Sequence, residues 1–226
     1  PVSDRELVQL GWPEWLNFMK AGILYSDRVT TVSPTYSREI RQKGMGSGME
    51  PYLKRKQDGV RGILNGIDTT RYHPIGDGVQ PYPYDAGSAT ENKKRNRSAL
   101  RKEYGLPDGD FPLLSMIGRW YPEKGIDLVA ELLPHMDRKT FQLILMGAGN
   151  PYYEGLLAGL AKECPENLIV IPEYSPDLAR KIYGASDIYL MPSRQEPCGI
   201  GQLYALRYGC VPVVYPCGGL RDTVTD

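Results

Sequence analysis

From about residue 111 the chain alternates short apolar runs with amphipathic stretches, and few architectures accept that rhythm. Leu113 to Ile117 reads as a strand, followed by helical spacing through Ile126, Leu128, Val129, Leu132 and Leu133. The pattern repeats through strand Phe141 to Met146, helix Tyr152 to Glu163, strand Leu168 to Ile171 and helix Pro176 to Tyr183. Strand Asp187 to Met191, helix Ile200 to Tyr208 and strand Val211 to Tyr215 complete it. Such a succession predicts consecutive βα units and a parallel sheet, an α/β fold. Right-handed crossovers bring the carboxyl ends of the strands to one edge. The loops at 118–125, 147–151, 172–176, 192–199 and 216–220 are therefore expected to converge there, where open α/β sheets bind their ligands.

The first hundred residues are less regular. A helix is expected at Glu14 to Leu24 and a strand at Arg28 to Val32. Ser33 and Pro34 then offer an N-cap and a first-turn proline for a helix through Ile40. Val60 to Leu64 is a further strand. Glycine, proline and tyrosine fill Asn65 to Asn92 without periodicity, an extended, turn-rich crossing. A basic helix, Asn92 to Tyr104, precedes Gly105-Leu106-Pro107, and the domain boundary is placed there. Residues 1–105 then form an incomplete α/β unit with its crossing segment, and residues 106–226 a nearly complete one truncated at its end.

Composition excludes several classes of function. Positive and negative side chains balance, 27 against 27, so no bulk field recruits nucleic acid or an acidic membrane. The basic tract Lys93 to Arg97 lacks interleaved aromatics and reads as a solvated helix face. Four cysteines form no CxxC pair, and only His73 and His135 accompany them, so neither a disulfide framework nor a metal site is expected. No apolar run reaches the ~18 residues a spanning helix needs. Pro1 to Arg5 has neither the basic lead nor the apolar core of a signal sequence. A soluble chain, and a piece of a longer protein, is the expectation.

Two strand-to-helix junctions carry the chemistry. In Gly118-Arg119-Trp120-Tyr121-Pro122-Glu123-Lys124-Gly125, a guanidinium and an ammonium stand five residues apart at a strand's carboxyl end. A guanidinium can grip phosphate oxygens in bidentate fashion, while an ammonium adds a mobile point charge. A solvated basic loop is the usual role of such a pair; its place at a strand end favours a ligand. In Pro192-Ser193-Arg194-Gln195-Glu196-Pro197-Cys198-Gly199, the Glu196 carboxylate is expected to enter the same crevice. Its ordinary alternative is an acid that complements a helix dipole. Backbone N–H groups of Gly199, Ile200, Gly201 and Gln202, at a helix start, would face an anion. Tyr174, in the loop after the third strand of this unit, offers a ring for stacking on a base, a weak signal among sixteen tyrosines. Gly218, Gly219 and Leu220 would let backbone approach a ligand. Gly147-Ala148-Gly149 lacks the remainder of a dinucleotide fingerprint, which argues against a nicotinamide cofactor. Together these groups suit an anionic donor that carries a sugar.

Six segments then resemble one family in order. They are Lys20 to Ile23, Asp27 to Tyr36, Gly62 to Asp68, the Arg119 and Lys124 loop, Met191 to Gly199, and Gly218 to Val224. The chain resembles bacterial glycogen synthases and plant starch synthases, retaining glucosyltransferases that extend an α-1,4-glucan from a nucleotide-glucose. The resemblance implies two Rossmann-like domains of the GT-B type, the N-terminal one incomplete here. It implies ADP-glucose or UDP-glucose as donor, an α-1,4-glucan acceptor, no metal or other cofactor, and a bacterial cytoplasm or plastid. By motif, Arg119 and Lys124 correspond to the diphosphate-binding residues and Glu196 to the acid that contacts the transferred glucose. Tyr174 corresponds to the adenine-stacking tyrosine, and the Cys198 to Gln202 and Gly218 to Leu220 segments to the sugar and phosphate sites. Three departures accompany it: the family's N-terminal glycine-rich lysine loop is absent, Gly201 stands where threonine is usual, and Trp120 where leucine is common. The resemblance leaves two alternatives, a non-catalytic nucleotide-sugar-binding module and a sucrose- or mannosyl-type enzyme of the same fold. Enzymes of the latter kind usually carry a second glutamate eight positions after the first, where Tyr204 stands.

Overall fold

The structure is a computed structural model that describes residues 17–56 and 59–226 together with Arg5 and Val8. Pro1 to Asp4 and the Glu14 to Leu16 start of the expected first helix lie outside the described residues. Two compact units divide the chain, Pro1–Asn65 and Gly66–Asp226.

In the first unit, α1 (Phe18–Tyr25) starts at Asn17, whose side chain accepts a hydrogen bond from the Lys20 amide. Strand β1 (Val29–Val32) leads directly into α2 (Pro34–Glu39). There Ser33 Oγ accepts from the Tyr36 amide at 2.9 Å and Pro34 occupies the first turn, as the sequence predicts. After α3 (Glu50–Lys54), β2 (Val60–Ile63) pairs parallel with β1, Val29 opposite Val60 and Val32 opposite Ile63. Ile40, Leu53 and Val60 form the small core beneath them.

The second unit opens with a turn-rich stretch and α4 (Ala89–Tyr104), then alternates strand and helix as expected. Its strands are β3 (Leu113–Ile117), β4 (Gln142–Met146), β5 (Leu168–Ile171), β6 (Ile188–Met191) and β7 (Val211–Val214). All pair in parallel, in the order β5-β4-β3-β6-β7. Between them run α5 (Ile126–Leu132), α6 (Pro151–Glu163), α7 (Pro176–Ala185) and α8 (Gly201–Arg207), and α9 (Gly218–Thr223) follows β7. Every residue of β4 is buried, because helices cover both faces of the sheet. Period-two alternation sorts the strand side chains accordingly. Leu113, Ile144 and Met146 face a core shared with Ile182 and Tyr208, whereas Leu114, Leu143 and Leu145 face one shared with Ile126 and Leu157.

The division at Asn65 and Gly66 differs from the boundary near residue 105 that the sequence suggests. Tyr72, Tyr84 and Leu100, all before that boundary, are buried in the core of the second unit. Lys93 Nζ donates to the carbonyls of Tyr183, Gly184 and Tyr208 at 3.3, 3.2 and 2.8 Å, satisfying oxygens at the ends of α7 and α8. Arg101 is buried and its guanidinium donates to Gln142 Oε1 at 2.7 Å and to the Gly109 and Phe111 carbonyls at 2.6 and 2.8 Å. Arg97 pairs with Asp187. The basic face of α4 is thus an internal anchor, which composition alone did not reveal because buried and solvated cations look alike in sequence.

A chain of residues 66–226 is expected to unfold in one cooperative thermal transition followed by circular dichroism. A chain starting at 106 is expected to show none. Losing buried groups such as Tyr84, Leu100 and Arg101 costs about 2–5 kcal/mol each, comparable in sum with a domain's whole stability.

Candidate active site

The order in which strands are added reverses between β3 and β6. From β3 the chain builds outward through β4 to β5, then returns to the opposite side of β3 with β6 and continues to β7. The loops that leave β3 and β6 therefore part at their carboxyl ends and open a crevice.

After β3, Trp120 is fully buried. Its amide donates to the Ala148 carbonyl and its carbonyl accepts from the Asn150 amide, each at 3.0 Å. That anchoring lets the next residues form one tight turn, Pro122–Lys124, ended by Gly125 at φ 73°. A Cβ on Gly125 would collide with the Pro192 carbonyl oxygen, so the two loops touch backbone to side-chain-free backbone. Arg194 ties them further. Its guanidinium takes both carboxylate oxygens of Asp127 at 2.7 and 2.8 Å and donates to the Pro122 carbonyl at 2.6 Å. Those hydrogen bonds hold the Asp127 carboxyl below the ordinary carboxylate range.

Lys124 and Glu196 meet across this junction, Nζ to Oε2 at 2.7 Å, with Glu196 buried. Ser193 Oγ donates to the same oxygen at 3.1 Å. Behind them the α9 start supports the loop: the Gly219 amide donates to the Glu196 carbonyl at 3.1 Å and the Cys217 thiol to the Ser193 carbonyl at 3.1 Å. Gly218 has φ 45°, and a Cβ there would strike the Glu196 carbonyl oxygen. Gln202, fully buried, donates from Nε2 to the Cys198 and Gly199 carbonyls and to Thr223 Oγ1 at 3.1, 3.0 and 3.0 Å.

A cavity of about 220 Å³ lies in this crevice. Of the residues singled out from sequence, Gly118, Lys124, Tyr174, Glu196, Gly199, Ile200 and Gly201 line it. Cys198, Gln202, Gly218, Gly219 and Leu220 are buried and hold the loop from behind; they are not among the lining residues. Arg119 is exposed, its guanidinium 5.9 Å from the Tyr121 ring centroid, and likewise does not line the cavity. The structure thus brings Lys124 and Glu196 together in the cavity lining, which Arg119 does not join.

Sequence reasoning missed an aromatic wall. Tyr72 stacks on Tyr204 with ring centroids 3.7 Å apart and planes at 12°, and Tyr183 and Tyr189 complete the lining. Burial pushes the Tyr189 phenol up to about 12, so its hydroxyl stays protonated and donates to the Ile117 carbonyl at 3.0 Å. That hydroxyl fills the space a side chain at position 201 would need, which explains the glycine there. Tyr204 follows Gly201 by nearly one helical turn, a signal that could have been used; Tyr72 sits in a stretch with no periodicity to read.

The family model of the glycosyl transferases group 1 matches residues 96–226, and that of the starch synthase catalytic domain matches residues 1–55. The chain belongs to the glycogen and starch synthases of the group 1 glycosyl transferases. It is 43% identical over 211 residues to the glycogen synthase of Fervidobacterium nodosum, covering 93% of this chain and 43% of that protein. A glycogen synthase of Streptococcus equi subsp. equi is 43% identical over 218 residues, 96% of this chain and 46% of that one. Among solved structures, the catalytic domain of starch synthase IV from Arabidopsis thaliana, bound to ADP and acarbose, superimposes with a TM-score of 0.87. It is 34% identical, and the match covers 93% of this chain and 44% of that one. The chain therefore spans less than half the length of the curated relatives it matches. Its fold is of the GT-B type of this enzyme family. The second unit of this synthase-family chain is Rossmann-like, and among the described residues the first contributes two parallel strands. No helix among the described residues is long and apolar enough to cross a membrane.

Because Gly218 has both a left-handed φ and no room for a Cβ, Gly218→Ala is expected to lower stability by about 1–3 kcal/mol. Differential scanning calorimetry checks this, with Gly155→Ala, where a Cβ meets nothing within 4 Å, as the tolerated comparison.

Proposed function

We propose that the whole protein transfers glucose from ADP-glucose or UDP-glucose to the non-reducing end of an α-1,4-glucan, with retention of anomeric configuration. The crevice between β3 and β6 is its donor site. The observation that carries this reading is the Lys124–Glu196 pair, a cation and a carboxylate 2.7 Å apart in the cavity at the sheet's switch point. The names of the relatives, and the ADP and acarbose bound to the starch synthase IV domain, support the same substrates.

On this reading Lys124 and Arg119 hold the donor's diphosphate, which puts Arg119 to use by reorientation of an exposed side chain. Tyr174, at 60% exposure, offers a ring face for the base. Backbone groups of Gly199 to Gly201 face the sugar and phosphate, while Cys198, Gln202 and Gly218 to Leu220 act by holding that loop. As the nucleoside diphosphate departs it carries about two negative charges. At ~4 Å and an effective dielectric near 20, each cation contributes roughly 4 kcal/mol of gross attraction before desolvation. The acceptor's 4-hydroxyl attacks from the leaving-group face, the departing phosphate takes its proton, and Glu196 supports the positively charged anomeric centre. The chemistry proposed draws on no metal or other cofactor. The 226-residue chain alone is proposed not to turn over, and the whole protein to act in a bacterial cytosol or a plastid.

Incubating the whole protein with labelled ADP-glucose and glycogen is expected to incorporate label, and NMR of the early product is expected to show the α-anomer; absence of incorporation with either nucleotide-glucose would sink the proposal. Lys124→Ala and Arg119→Ala are each expected to lower kcat/KM by ~2–4 kcal/mol. Glu196→Gln is expected to cut transfer to a small residual rate, a loss of about a thousandfold or more, while isothermal calorimetry still detects ADP binding. Wild-type rates in all three variants would remove the assignment of this crevice.

A further inference from the structure

We infer that Ser193 is a positioning residue for the carboxylate of Glu196, an inference that rests on the donor-site reading above. The two donors that reach Glu196, Lys124 Nζ at 2.7 Å and Ser193 Oγ at 3.1 Å, both fall on Oε2. Among the described residues no protein donor reaches Oε1, and that oxygen is not one of the sealed, unpartnered polar atoms of the interior. One carboxylate oxygen is tethered and the other stays open to the cavity that Glu196 lines.

The tether is firmly held. Ser193 is 1% exposed and follows the last residue of β6 by two positions. Its carbonyl accepts from the Cys217 thiol, and the preceding Pro192 carbonyl abuts Gly125. The hydroxyl therefore projects from backbone fixed on both sides, whereas Lys124 extends four methylenes from a turn and has 20% of its side chain exposed.

This difference matters because the proposed chemistry asks Lys124 to serve two partners. An arriving diphosphate competes for the ammonium, and as Lys124 turns toward it the carboxylate of Glu196 loses its closer donor. Ser193 then remains on Oε2 and keeps the side chain in the rotamer that offers Oε1 to the sugar. Without the hydroxyl the carboxylate is free to follow Lys124 or to rotate, and a displacement near 1 Å at a reacting centre can cost about a hundredfold in rate. The hydroxyl thus uncouples the position of the acid from the movement of the cation.

The experiment is a double-mutant cycle in the whole protein, with kcat, the Kd for ADP and the thermal midpoint measured for each variant. Ser193→Ala is expected to lower kcat about 10- to 100-fold while the ADP Kd stays within about twofold. In a Glu196→Gln background the same substitution is expected to add no further loss to the residual rate, since a residue acting through Glu196 has nothing left to act on. A wild-type kcat in Ser193→Ala, equal losses in both backgrounds, or a parallel fall of ADP affinity and thermal midpoint would each overturn the inference. A merely structural hydroxyl gives the last two patterns. If Glu196→Gln loses nearly all transfer while Ser193→Ala keeps the wild-type kcat, Ser193 alone is struck; if Glu196→Gln turns over normally, the donor-site reading falls and this inference with it.

Discussion

The parallel pairing of β3 with β6 is the constraint on which the rest depends. Only two registered pairs define it, Leu114 opposite Ile188 and Ser115 opposite Tyr189, yet it joins the two halves of the sheet. It also sets the loops that follow β3 and β6 side by side, so that Lys124 and Glu196, 72 residues apart in sequence, come within 2.7 Å. Were β6 to pair at the β5 edge instead, the same residues would stand three strands apart. Strands are about 4.8 Å from their neighbours, so no side-chain adjustment would close the gap.

Several contacts cross this junction, and they differ in weight. The Arg194–Asp127 fork has the best hydrogen-bond geometry of the set, but Arg194 is exposed and such pairs contribute on the order of 0–1 kcal/mol. Trp120 and Leu220, fully buried behind the two loops, contribute more, since truncating such side chains costs about 2–5 kcal/mol. The fork accordingly sets the orientation of the 118–125 loop against the 192–199 loop, and the buried groups supply the stability that keeps both loops formed. Trp120, an unusual residue for its position by resemblance, is thus a loop anchor.

What was legible in the sequence follows from which interactions are local. Helix and strand periods are local, and the elements from β3 to β7 fall within a residue or two of their expected limits. The two charged residues that meet were legible as well, because strand-end loops in a parallel sheet share an edge whatever their side chains do. The aromatic wall was not, since the stacking of Tyr72 on Tyr204 depends on how a segment without periodicity crosses α8. The limit of the second unit escaped for a related reason: α4 reads as a polar surface helix, and only its packing shows Lys93, Asn96 and Arg101 turned inward onto carbonyls and amides. Arg119 illustrates the converse case. Its place at a strand end reads as ligand-binding in sequence, but the exposed guanidinium lies 5.9 Å from the Tyr121 ring centroid and outside the cavity lining, because sequence position fixes the loop and not the direction of a solvated side chain.

The same reasoning explains why the crevice holds an ion pair. A carboxylate buried as deeply as Glu196 is costly to leave without a partner, because removing an isolated ion from water costs several kcal/mol even after relaxation. Lys124 meets that need across the junction. On the proposed function, a diphosphate with about two negative charges competes with Glu196 for that ammonium, each unit charge at ~4 Å and an effective dielectric near 20 being worth roughly 4 kcal/mol of gross attraction. The exchange is therefore favourable for the lysine and unfavourable for the glutamate, and the deficit at Glu196 is left next to the position where a glycosyl centre would become positive. On the proposed function, a site arranged in this way would bind its donor at the expense of one ion pair and recover that loss as charge develops during transfer, where it would lower the barrier and not merely deepen binding.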